Sequence, residues 1–150
     1  MQDNRFYTLL TYAGALPFIA CAALPLFGSD TLAGVGRYDW IAQVYGLAIV
    51  SFVAGSHWGA YLHKREHCRS NLFVSSNVIV LVAFFAFVLT STVITVLVLM
   101  LAFACLLYID LGLRRAGVNS DDYYSTRLRV TLIVLVSLAV ILVQAAPAIE

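Results

Sequence analysis

Residues Leu72 to Leu113 read LFVSSNVIVLVAFFAFVLTSTVITVLVLMLAFACLLYIDLGL, 42 residues with a single charge, Asp110. As one helix this run would be about 63 Å long at about 1.5 Å per residue, twice the thickness of a bilayer's hydrocarbon core. It therefore has to be two membrane-crossing helices. Thr90-Ser91-Thr92 is the one polar cluster within it that can turn the chain. The expected spans are 72–89 and 93–111.

Composition supports reading the whole chain this way. Of 150 residues 62% are hydrophobic and only 11% charged, and the mean hydropathy is +0.92. A soluble domain carries about 25% charged residues, and a chain this short cannot hide so much apolar surface in a core. Working outward, three further apolar runs predict spans at 6–27, 40–62 and 128–146. Pro17 and Pro25 fall in the first, where Pro17 removes a backbone hydrogen bond and should kink the helix. The expected fold is an all-α polytopic bundle of about five transmembrane helices forming one domain over 1–150. The first apolar run is too long for the core of a cleavable signal peptide, and no Arg-rich transit peptide is present.

Of the nine Lys and Arg residues, only Arg37 falls on one side of this arrangement. The other eight are Arg5, Lys64, Arg65, Arg69, Arg114, Arg115, Arg127 and Arg129. The positive-inside rule then puts the N-terminus in the cytoplasm and the C-terminus outside. The expected address is a bacterial inner (plasma) membrane, with the mitochondrial inner membrane as the second choice. A net charge of +1 gives no reason to expect nucleic acid as a partner.

The second span carries the most chemistry. Ser51, Gly55 and Gly59 recur every fourth residue and form a small-residue stripe suited to close helix packing. His57 points about 200° away from that stripe. An ionisable group in a membrane should face protein or a water-filled cavity. Its functional reading is ligand binding or proton handling, with Tyr45, Trp58 and Tyr61 on the same helix as companions. Its bland reading is an imidazole bonded to a backbone carbonyl. Asp110, near the end of the fourth span, is within reach of His57, although Arg114 at i+4 is the simpler partner. Arg127 and Arg129 are expected to extend to anionic headgroups. Asp121-Asp122 reads as a solvated turn.

No cofactor or metal is called for. A haem would want a second ligand facing His57, and Met100 lies nearer the opposite face. His57, His63 and His67 do not converge on one ion. Cys21, Cys68 and Cys105 stand far apart with no metal spacing. No nucleophile–base pair, paired intramembrane carboxylates or phosphate loop is visible. The expected role is a non-enzymatic binding or accessory protein. It would take a hydrophobic small molecule such as a quinone or lipid, or a membrane-complex partner. The alternative is a small transporter or channel acting as a homo-oligomer.

Three stretches carry a family likeness. They are Gly14-Ala-Leu-Pro17-Phe18, then Tyr45-Gly46 through Ser51-Phe52 to Gly55-x-His57-Trp58-Gly59, and finally Tyr124-x-x-Arg127-x-Arg129-x-Thr131. On these the sequence resembles the family known as domain of unknown function 3429. The resemblance implies a small multi-helix membrane protein and supplies no catalytic residues.

Overall fold

A computed structural model describes residues 2–64 and 71–146. Helix α1 spans Gln2–Ala13, α2 Leu16–Ala23, α3 Tyr38–Lys64, α4 Leu72–Leu89, α5 Thr92–Arg115 and α6 Asp121–Ala145. Five segments are long and apolar enough to cross a membrane: Phe6–Phe27, Tyr38–His63, Leu72–Leu89, Thr92–Arg115 and Asp121–Ala145. The chain is thus a multi-pass membrane helix bundle. Its outward faces carry Leu9, Phe52, Leu81, Phe85, Leu101 and Val136, all exposed, a surface suited to lipid rather than water.

The first span is broken more sharply than a kink. α1 ends at Ala13 and α2 starts at Leu16, with Pro17 in its first turn, and a 3-10 turn follows over Leu24–Phe27. Pro17 has no N–H to give, so the carbonyls ahead of it lose helical donors. Tyr45 on α3 supplies one, its hydroxyl donating to the Gly14 carbonyl at 3.0 Å. Between α2 and α3, within residues 28–37, lies a two-stranded hairpin, β1 (Thr31–Leu32) and β2 (Gly36–Arg37).

The α4–α5 turn falls at Thr90–Ser91, where the polar cluster predicted it. It manages without glycine or proline because hydroxyls cap the exposed carbonyls. Thr90 and Thr95 both donate to the Ala86 carbonyl, at 2.6 and 3.0 Å. Asn71 caps α4 by accepting from the backbone of Phe73 and Val74. Two ends differ from the sequence expectation. α5 runs on to Arg115 rather than 111, closed by Gly117 at φ 71°. α6 starts at Asp121 rather than 128, because Ser120 accepts from the Tyr123 N–H and two carboxylates occupy the first turn.

α5 sits centrally, against α3, α4 and α6; α6 in turn packs on α1 and α2. Phe18 of α2 is fully buried, its ring 5.1 Å from Tyr45 and 5.8 Å, edge-on, from Phe103. The close approach of α3 to α5 and α2 is made at Gly46. A Cβ there would lie 3.0 Å from Leu99 Cδ1 and 3.5 Å from Phe18 Cε1.

Candidate functional site

Each of the three best-buried helices carries one ionisable residue in phase with its inner face. On α3 the buried positions include Ala42, Gly46, Val50, Val53, Ala54 and then His57. On α5 they run Leu99, Phe103, Leu106 and Asp110, and on α6 they start at Arg127 and continue through Val130, Val134 and Leu138. Spacing of three and four residues keeps each set on one face. The apolar members pack the bundle, and the ionisable members meet at one end of it.

Asp110, with no exposed surface, is the hub. His57 Nε2 lies 3.0 Å from its Oδ1, and Arg127 Nε donates to its Oδ2 at 3.2 Å. A carboxylate accepts only, so the imidazole proton on this side belongs to Nε2. His57 and Arg127 are 2% and 11% exposed at the side chain. Burying a charge this deeply is unfavourable unless it is paired and hydrogen-bonded, and here it is both.

The pairing corrects two expectations. Asp110 does not pair with Arg114; α5 turns Asp110 inward, and Arg114 instead meets Asp121 at the start of α6. Arg127 does not reach outward to headgroups, because its Cα stands on the inner face of α6. Arg129, two residues on, is exposed. Asp121 accordingly is a solvated ion-pair partner in the first turn of α6.

Among the described residues, three buried side-chain atoms in and beside this triad have no hydrogen-bond partner: Tyr7 Oη, His57 Nδ1 and Arg127 Nη2. Tyr7 of α1 stacks on Tyr123 of α6, ring centroids 5.7 Å apart and 21° from parallel. Tyr7 and Arg127 both line a cavity of about 450 Å³ enclosed by α1, α3, α5 and α6. Ser56 and Tyr123 stand with them. Further along the same helices the walls are apolar, with Ile49, Phe103 and Val134. Leu10 and Phe52 are also in its lining and are 70% and 77% exposed. The cavity therefore opens sideways, toward lipid.

The other candidates stand elsewhere. Trp58 Nε1 donates to Ser76 Oγ at 2.9 Å, and the rings of Trp58 and Tyr61 each meet Phe73 at 4.7 Å, which places both in the α3–α4 interface. Tyr45 serves the α1–α2 break. Ser51, Gly55 and Gly59 face outward, and a Cβ on either glycine would meet nothing within 4 Å. Among the described residues no helix packs on that stripe. His63 bonds the Gly59 carbonyl through Nδ1 at 3.0 Å; His67 and Cys68 lie outside the described residues. Tyr7 and Tyr123 were not among the residues expected to form a site.

The family described as protein of unknown function (DUF3429) matches residues 4–143. The chain belongs to this family. The match takes in the first four spans, nearly all of the fifth and every residue of the His57–Asp110–Arg127 triad. No curated protein and no solved structure matches the chain.

Proposed function

We propose that this DUF3429 protein is a non-enzymatic membrane protein that binds an amphipathic small molecule, such as a quinone or a lipid, as a binding or accessory component. One observation carries the reading. A cavity of about 450 Å³, apolar along most of its wall, has Tyr7 and Arg127 in its lining, two residues whose Oη and Nη2 have no hydrogen-bond partner. Ligand sites of about 300–1,000 Å³ with a few convergent polar groups are the usual form for small molecules. Each unmet buried polar group costs about 1–3 kcal/mol, which a ligand bringing acceptor oxygens recovers. The site is centred on Tyr7, His57, Asp110 and Arg127 rather than on Trp58 and Tyr61. The basic end of the bundle is proposed to face the cytoplasm of a bacterial inner membrane, supported by the placement of eight of the nine basic residues.

Native mass spectrometry of protein released in mild detergent tests this reading. The expected result is a bound small amphiphile on the wild type and its loss from Ile49→Trp, which fills the cavity from a half-buried position. Wild-type protein with no bound molecule, or equal occupancy in both, would count against it.

A further inference from the structure

We infer that α1 is the movable wall of this cavity. It swings about Gly14–Ala15, away from α3, and so admits the ligand from the lipid, while α2 stays fixed in the bundle. This rests on the binding reading above and names how that site is entered.

The two halves of the first span are held differently. After the break, α2 buries Phe18, Cys21 and Ala22 and packs on α3 and α6. Gln144 of α6 clamps it further, its Nε2 donating to the Ala22 carbonyl at 3.0 Å. Ahead of the break none of residues 6–13 is buried. Tyr12, beside the break, packs against the core, and Tyr7 stacks on Tyr123 of α6. Segments with few buried apolar contacts open at the least cost, and the lids of binding sites are drawn from them.

The inner face of α1 explains why so little of the helix is buried. Tyr7, Leu10 and Thr11 are spaced three and four apart and so lie on one side of it. That side borders the cavity, and a cavity beneath a helix supplies no dispersion contacts to hold it down. Leu10 of α1 and Phe52 of α3 both line the cavity and are both exposed, so its mouth lies between these two helices.

The pivot is part of the fold. α1 ends at Ala13 and α2 begins at Leu16, and Pro17 has no N–H to carry the helical ladder across the gap. Tyr45 of α3 holds the Gly14 carbonyl, which ties the pivot to the bundle. Residues at the ends of elements are where hinges absorb their rotation. Leu9 stands about 7.5 Å before Gly14 along the helix, so a swing of about 30° carries it about 4 Å.

Two measurements on the full chain test this, both in a Cys21→Ala, Cys68→Ser, Cys105→Ala background. Pulsed dipolar spin resonance in lipid nanodiscs compares labels at Leu9→Cys on α1 and Ile19→Cys on α2. Each is paired with Val82→Cys on α4, and all three positions are exposed. The distance distribution from α1 should be wider than that from α2 by about 4 Å. Native mass spectrometry then follows loss of the bound amphiphile into empty maltoside micelles. The protein used is Tyr7→Cys, Tyr123→Cys, joined by a short reducible bis-thiosulfonate linker across the site of the ring stack. The join should slow that loss about tenfold or more, and reducing the linker should restore it. Equal widths for the α1 and α2 labels would overturn the inference while the binding reading stands, as would loss from the joined protein at the unjoined rate. A protein empty in every state, wild type included, would bring down the binding reading and this inference together.

Discussion

Replacing Asp110 by Asn leaves the side chain's shape almost unchanged and removes its charge, which isolates the electrostatic part of the triad. Asp110 has no exposed surface, and each of its oxygens holds one partner, at 3.0 and 3.2 Å. After the change Arg127 keeps its charge with no counter-charge beside it. Breaking a buried pair on one side costs about 3–5 kcal/mol. Arg127 is the seventh residue of α6, about 10 Å from its start at about 1.5 Å per residue. Its long stem allows the guanidinium partial relief toward the headgroups. The expected loss is therefore at the lower end, about 3 kcal/mol, and Arg127→Gln should lose a similar amount. The double variant Asp110→Leu, Arg127→Leu removes both charges together and should lie within about 1 kcal/mol of wild type. Reversible unfolding by dodecyl sulfate in mixed micelles, followed by far-UV circular dichroism, measures all three. The two single losses should exceed the double loss by well over 2 kcal/mol when summed. Single variants within about 0.5 kcal/mol of wild type, or a strictly additive double, would refute the account of Asp110 as a buried hub.

Tyr45→Phe deletes the donor to the Gly14 carbonyl and should lower stability by about 1 kcal/mol in the same unfolding assay. Gly46→Val pushes branched carbon into Leu99 and Phe18 and should cost about 1–3 kcal/mol. Gly55→Ala enters open space and should gain up to about 1 kcal/mol of helix propensity; a loss there, growing with protein concentration, would instead assign the outward stripe to a second copy of the chain. A cysteine placed at exposed Ser29 should react with a membrane-impermeant maleimide applied to spheroplasts, and protection there would reverse the proposed orientation. Reconstituted liposomes should show no ion leak above protein-free controls, and a saturable flux would favour the transporter alternative.

Much of the architecture was legible because crossing a membrane is a property of windows of residues. The run from Leu72 to Leu113, with its single charge, forces a turn, and Thr90-Ser91 is where the chain makes one. The start of α6 was set too late for the same reason. Hydropathy rises at Leu128, yet Ser120 followed by two carboxylates is a helix-start signal that needs no apolar residue. The triad was harder to see. A sequence shows which residues share a face of one helix but not how helices are rotated against each other, so Arg114 on α5 looked nearer to Asp110 than Arg127 on α6. The signal that finds Arg127 is its phase with Val130, Val134 and Leu138. A basic side chain on the buried stripe of a helix cannot easily be a headgroup anchor.

The order in which the triad's members appear along the chain has its own consequence during synthesis. His57 enters the membrane first, Asp110 follows 53 residues later, and the positive charge that balances Asp110 arrives after another 17. A ribosome that released α5 alone into lipid would be delivering a bare carboxylate five residues from the end of that helix, and there it opposes insertion by less than the roughly 2.5–3.5 kcal/mol of an Asp at a span's centre. Only the short link 116–120 separates α5 from α6, so the two can leave the insertion machinery as a pair with Asp110 and Arg127 already joined. Lengthening that link, or pausing translation within it, would strike at biogenesis while leaving the finished bundle's contacts unaltered.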